Sequence, residues 1–442
     1  LNLSGRLATG WPVTSQRTHM MRFLTLFIFL TLLSPNSWAM DELAERYVHL
    51  ALEFGEYDTD YVDAYLGPAE WREQARKHLR PQQQLAADIA ALLKELSDFS
   101  PDSELERHRQ DHLFKTVLAM DTRARMAMGE SFSFAKEARL IYDVQLPDYE
   151  ISRFDELLAE IDVLVPGEGD LAERVDAFRS QFDIATDKVE AVFQAAVDEC
   201  RRRTEEHIKL PANERYTLEY VTGTSWSGYN WYQGDNHSLM QVNLDFPLKI
   251  DRAVDLGCHE GYPGHHVWNM MVENRLLKQR GWIEYSVFPL FSPAALVAEG
   301  SGNYGVELAF PGDEKVQFQR EVLYPMAGLD PQLAESLERL NDLTSELAFA
   351  RVVTTRLHLD GEISREIAIE RTRKYGLTSR ERAEKSVRFT EQYRSYVLNY
   401  SLGKALVQEY IERQADDPQG RWQAFERMLV EMPTASELLA SP

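Results

Sequence analysis

His259-Glu260-Gly261-Tyr262-Pro263-Gly264-His265-His266 holds three of the eleven histidines of this 442-residue chain, with a carboxylate directly after the first. Neutral imidazole is the commonest metal ligand, and a neighbouring Glu can act as the base that activates metal-bound water. The spacing, however, is unusual. In H-E-x-x-H the two histidines lie one helical turn apart on one face; here the next His comes six and seven residues later. At about 1.5 Å and 100° per residue, a straight helix would put His265 roughly 9 Å from His259 on another face. His266 would share the face but lie roughly 10 Å away, beyond the reach of one ion with bonds near 2.1 Å. Pro263 cannot donate to the carbonyl of His259, and its ring collides with it. The helix is therefore expected to break after Glu260, with Tyr262-Pro263-Gly264 folding His265 or His266 back toward His259. The bland alternative is a polar helix–turn–helix corner with solvated histidines.

Composition bounds the rest. Apolar residues make up 44% of the chain, enough for a large core or two smaller ones. Residues 1–39 stand apart as upstream sequence and a signal peptide. Met20-Met21-Arg22 precede the apolar run Phe23 to Leu33, and Ser37-Trp38-Ala39 form a small-x-small exit. That pattern predicts a start at Met20 or Met21 and a cut near Ala39; eleven residues are too few for a membrane span. The chain carries 48 Lys and Arg against 71 Asp and Glu, a net −23. The first 39 residues hold three arginines and no acid, so the remainder is more acidic still, at −26. Such acidity argues against nucleic acid or anionic lipid as a partner. Cys200 and Cys258 are too few for a disulfide framework, and Cys258 reads as a small buried residue at a helix end rather than a soft ligand. With no Cys in lipoprotein position after the leader, a soluble periplasmic or secreted protein is expected.

The fold class follows from periodicity: mainly α, with a small β element preceding the metal-binding helix. Residues 40–209 form an N-terminal helical region. Glu42 to Gly55 carries Leu43, Tyr47, Leu50 and Ala51 at three and four spacing, and Gln82 to Asp98 repeats the pattern. Arg107 to Met128 and Leu171 to Lys209 add further helices. Residues 210–442 contain the metal motif and are expected to continue the same helical fold. Within them, Thr217 to Val221 and Leu239 to Leu244 alternate like strands around a Gly- and Asn-rich turn segment. Tyr229, Trp231, Tyr232 and His237 lie there as candidate lining of a substrate groove. The strand just ahead of the metal helix is a place where a peptide could add its own backbone.

A catalytic zinc wants three protein ligands and one open position. Glu299, in Leu296-Val297-Ala298-Glu299-Gly300-Ser301-Gly302, is the best third ligand, because a lone carboxylate among apolar residues is costly to bury unpaired; Glu307 competes with it. Tyr400 and His358, in the C-terminal helices, are candidate donors to a developing oxyanion.

These residues resemble a known family. His259 to His266 is similar to the His-Glu-x-x-Pro-Gly-His motif of the bacterial DUF885 proteins, grouped with zincin-like metallopeptidases. Ala298-Glu299-Gly300 resembles their Ala-Glu-Gly-Trp element, and Leu398 to Gly403 their Leu-Ser-Tyr-Lys-x-Gly. The likeness spans about residues 45 to 412. It departs at Trp268, where many members have Gln, at Ser301, where they have Trp, and at Thr354 to His358, where an Asp is lost. The resemblance implies a zincin-like helical metallopeptidase fold, zinc ligands His259, His265 and Glu299, and Glu260 as base. The expectation is an exported hydrolase with one zinc ion, cleaving a peptide or small amide. The competing expectation is a helical binding scaffold without chemistry.

Overall fold

The computed structural model describes residues 35–224 and 226–440, and 69% of the chain is helical. The expected leader up to residue 34 lies outside the described residues. The elements that build the site, in chain order, are α1 (Pro35–Phe54), β1 (Val62–Tyr65), α2 (Glu104–Ala127), α3 (Val189–Glu205), β2 (Arg215–Val221), β3 (Gly228–Gly234), β4 (His237–Asn243), α4 (Ile250–Leu256), α5 (His265–Met271), β5 (Val287–Pro289), α6 (Pro293–Ala309), α7 (Ala334–Leu359), α8 (Leu398–Gln414) and α9 (Ala435–Leu439). No helix among the described residues is long and apolar enough to cross a membrane.

Helix ends follow local chemistry. Before α2, the Ser103 hydroxyl accepts from the Glu106 N–H at 3.1 Å while the Glu106 carboxylate accepts from the Asp102 N–H at 2.9 Å, satisfying donors that a helix start leaves open. The apolar stripe of α1 faces inward: Leu43, Tyr47, Leu50 and Ala51 are all buried. One contiguous apolar core takes in side chains from Met40 to Leu438. A smaller core forms where Phe154, Leu157 and Ile161 meet Leu340, Leu343 and Leu347 of α7.

At the centre lies α6, buried along most of its length. It packs backbone to backbone against α8. A Cβ on Gly300 would stand 2.4 Å from the Gly403 carbonyl oxygen, and one on Gly403 would stand 2.5 Å from that of Leu296, so neither position admits a side chain.

Two small sheets brace this framework. β1 and β5 pair antiparallel, with Tyr65 opposite Val287. The second sheet runs β2-β4-β3, with β4 parallel to β2 and antiparallel to β3. Two expectations change here. The segment read as turn-rich contains a full strand, β3. It is joined to β4 by the two-residue loop Asp235-Asn236, with φ of 51° and 57°, the left-handed pair a tight hairpin demands. And β4, the strand ahead of the metal helix, is central, so it has no free edge for a peptide; the edge strands are β2 and β3.

Candidate metal centre

The helical path through the motif does break, by widening first. α4 passes into a π-turn over Gly257–Gly261, the kind of local insertion that often marks functional sites. Tyr262 is extended, the Tyr262–Pro263 bond is cis, and α5 restarts at His265. Gly264 makes the return possible: its N–H donates to the Cys258 carbonyl at 3.0 Å. A Cβ there would stand 1.9 Å from the His259 carbonyl oxygen.

The result brings the His259 and His265 rings to 4.6 Å, nearly perpendicular. Glu299, three residues before Gly302, where α6 runs against the His259 ring, completes the group. Its Oε2 lies 3.5 Å from His259 Nε2 and its Oε1 lies 4.0 Å from His265 Nε2. One ligand atom from each of the three residues falls within 4.8 Å of the others. A tetrahedral ion with bonds near 2.1 Å spaces its donors about 3.4 Å apart, so small side-chain adjustments would close the set. Glu299 Oε2 is sealed from solvent without a hydrogen-bond partner. A buried carboxylate oxygen in that state is costly, and a cation would relieve it. Two imidazoles and a carboxylate are a donor set that suits zinc.

Electrostatics agree with the geometry. Burial lowers the His265 pKa to about 4, helped by the charge of His259, so its imidazole is neutral at physiological pH, as a candidate ligand needs. Burial also disfavours charge on His259, but Glu299 and Glu260 outweigh it and raise its pKa. Burial opposes ionisation of Glu299 too, yet His259, His265 and Tyr396 hold its pKa down. Glu260, 7% exposed, is pushed up to about 7 by burial, with Glu299 adding and His259 opposing. A general base poised near the working pH is what proton transfer from water requires.

Each expected residue has a definite place. His266 is a correction: it does not join the group. Helical rotation of about 100° per residue turns it away from His265, and both its nitrogens are taken, Nδ1 by Ser238 Oγ at 2.7 Å and Nε2 by Glu214 Oε1 at 2.9 Å. Glu214 also accepts from Tyr262 and from Arg201, the latter at 2.7 Å, so His266 anchors α5 to the sheet. His358 is likewise apart. It pairs with Glu391 at 3.1 Å near the end of α7, sharing that carboxylate with Arg365, and makes no hydrogen bond or ion pair with His259, His265 or Glu299. Glu307 pairs with Lys404 on α8. Tyr400 stays near: its ring meets Tyr396 edge-on at 5.7 Å, and its pKa is raised by burial and by Glu299, keeping the hydroxyl a donor.

Cys258 is neither ligand nor free thiol. It forms a buried disulfide with Cys200 of α3. Two cysteines in a chain expected to be exported were a signal for one bond, although too few for a framework. Tyr396 was also overlooked: its hydroxyl donates to Glu299 Oε1 at 2.9 Å. So was Asp63 of β1, which accepts from Tyr229; its pKa is raised by burial and further by Glu299. Of the four candidate groove residues, Tyr229 alone reaches this neighbourhood. Trp231 bonds Gln241, Tyr232 bonds Glu273 and His237 bonds Thr217. The link from β3 to the centre is Asn230, whose Nδ2 donates to the Glu260 carbonyl at 2.6 Å.

No protein-family profile matches the chain, and neither does any curated protein sequence. Among solved structures, the fold is similar to that of a protein described as a lipoprotein from Colwellia psychrerythraea. The two share 12% identity over 81% of this chain and 71% of that one, with a TM-score of 0.50. A protein described as a lipoprotein of unknown function from Shewanella oneidensis shares 12% identity over 81% of this chain and 76% of its own, with a TM-score of 0.40. At such identity the first likeness speaks to the fold alone.

Proposed function

We propose that this chain is an exported zinc-dependent hydrolase, a peptidase of the zincin-like kind that the DUF885 motif implies. The observation that carries the reading is the meeting of His259, His265 and Glu299 within 4.8 Å, beside a buried Glu260 with a pKa of about 7. His259, His265 and Glu299 would hold the ion, which when bound supplies an acidified water and polarises the substrate carbonyl. Glu260 takes the proton of the attacking water and returns it to the leaving amine. The Tyr400 hydroxyl, on the ring packed against Tyr396, would be a donor to the developing oxyanion. The free edge of β3, tied to Glu260 through Asn230, offers backbone groups to an extended peptide.

Export is supported by the leader-like start and by a disulfide of the kind that persists in oxidising compartments. The test begins with metal analysis of the purified protein. About one zinc per chain is expected, removable by chelator and missing from His259→Ala. Glu260→Gln should keep the zinc and lose turnover by roughly 100-fold or more. Wild-type rates in that variant, or a protein that binds no metal, would sink the reading and leave the binding scaffold in its place.

A further inference from the structure

The helix Arg380–Tyr393 ends on a strained residue. Arg394 takes φ 50° with ψ −118°, the region of the first central residue of a type II′ turn, which Gly ordinarily fills. Other non-glycine residues with positive φ are easier to explain. Asp143 and Met432 have ψ of 32° and 53°, inside the left-handed helical basin, and Asp235 and Asn236 form the hairpin loop. A side chain in the region of Arg394 persists only where its surroundings over-determine it, and such residues cluster at functional sites.

What holds Arg394 is one carboxylate. Glu137, 1% exposed on the helix Phe134–Tyr142, accepts from Arg394 Nε at 2.7 Å through Oε2. Through Oε1 it accepts from the N–H and the hydroxyl of Ser395 at 3.1 and 2.6 Å. Ser395 is itself buried. Three donors on two successive residues, one of them charged, make a strong clamp. The next residue is Tyr396, in the 3-10 turn Arg394–Val397 that leads into α8. Its hydroxyl donates to Glu299 Oε1 at 2.9 Å, and its ring packs on Phe291 and Tyr400. Every link from Glu137 to the metal centre is therefore a bond: Glu137 to Ser395, Ser395 to Tyr396, Tyr396 to Glu299. Without the break at Arg394, the helix would run on through Tyr396.

We propose that Glu137 is a positioning residue of the metal centre, holding the strained Arg394–Ser395 turn so that the Tyr396 hydroxyl meets Glu299. This rests on the metal-binding reading above. Zinc affinity, read by competition with a chromophoric chelator, should fall about 10-fold or more in Glu137→Gln, because the amide loses the charge pair with Arg394. Two comparisons separate positioning from general support. In a Tyr396→Phe background the same change should cost no more than roughly twofold further, since the hydroxyl it delivers is gone; losses that add in full would overturn the proposal. Arg394→Gly should recover most of the affinity lost in Glu137→Gln, since Gly takes this turn without strain, whereas Arg394→Ala should recover little. If Gly and Ala act alike, strain is not what Glu137 opposes and the proposal fails. Should Glu137→Gln not fold, Ser395→Ala removes one donor and leaves the charge pair. It should lower affinity by roughly 3-fold in wild type and leave it unmoved in Tyr396→Phe; unchanged affinity in both overturns the clamp.

A readout without metal separates this from the failure of its premise. In isotope-labelled, zinc-free protein, the Tyr396 Cζ resonance reports the bond from its hydroxyl to Glu299. It is identified by its loss in Tyr396→Phe and its displacement in Glu299→Gln. Glu137→Gln should displace it in the same direction, and adding Arg394→Gly should bring it back. A wild type that binds no zinc but shows this pattern loses the hydrolase reading alone. A resonance that stays in place when Glu137 is changed overturns the positioning role, whatever the metal does.

Discussion

Tyr396 is the residue on which the precision of the centre depends. Its hydroxyl is the hydrogen-bond donor to Glu299 Oε1, at 2.9 Å, and such outer contacts fix how a ligand presents itself to a metal. Tyr396→Phe should fold normally, since the ring stays in its packing against Phe291 and Tyr400. At the proposed zinc site, the affinity for added zinc should nevertheless fall by about 10- to 100-fold, read by competition with a chromophoric chelator; unchanged affinity would remove Tyr396 from the account. The contrast with the candidate ligands shows what a sequence discloses at this scale. His259, Glu260 and His265 are legible because their chemistry is packed into eight residues, and Glu299 because an acid among Leu, Val and Ala needs a reason. Tyr396 sits 97 residues from Glu299 in a stretch where a core tyrosine is the ordinary expectation. The choice between His265 and His266 could not be read either, because it depends on where the helix restarts after Gly264.

The π-turn carrying His259 and Glu260 is held from behind by the disulfide to α3, since Cys258 immediately precedes His259. The bond closes a loop of 58 residues that contains the whole β2-β4-β3 sheet. Cross-linking a loop of that size restrains the unfolded chain and typically contributes about 2–4 kcal/mol. Cys200→Ala with Cys258→Ala should lower stability by about that amount in chemical denaturation, and reduced wild type should match the double variant; equal stability with and without the bond would show that packing alone seats the turn. Elements of this kind divide into those a sequence announces and those it hides. The helix over Gln82–Asp98 appears where its period-3.6 stripe predicts it, because packing one apolar face is a local requirement. The strand β3 was hidden. Its Gly and Asn residues signal turns, and what makes it a strand is pairing with β4 and the grip of Glu273, which accepts the Asp235 N–H at 3.0 Å. Those partners come later in the chain.

The two ends of the described chain close on each other around α2, and there the molecule stores a pH dependence. His108 bonds Glu437 of α9 at 3.0 Å, Lys115 reaches Thr434 at 2.8 Å, and Arg109 joins Asp41 of α1 at 2.7 Å. In their midst His112 is buried, stacked on Tyr285 at 5.2 Å, with an Nδ1 that finds no partner. Burial, aided by the charge of His108, lowers its pKa to about 4. The unfolded chain therefore binds a proton at His112 from about pH 6.5 downward, while the folded one refuses it until about pH 4, so stability falls as pH drops through that window. Its neighbours do not cancel the slope there. His108 has a raised pKa, so its contribution is complete below 6.5 and is lost only as pH rises through the folded value. Glu437, held down to about 2 despite burial by His108 and the Thr434 N–H, contributes fully above 4.5 and declines only below it. The slope from His112 should approach about 1.4 kcal/mol per pH unit, near 3 kcal/mol across the window as an order of magnitude. The measurement is the stability difference between wild type and His112→Leu from pH 7 to 4, which subtracts groups such as Glu260 that titrate in the same range at the centre. Leucine removes the unpartnered Nδ1 but also the hydrogen bond to the Met432 backbone, so the variant should lose ground at pH 7 through that bond and through packing against Tyr285, and gain on wild type steadily as the solution is acidified. A difference that stays flat with pH would mean that the folded protein admits the proton, and that the junction of the chain ends is open to water.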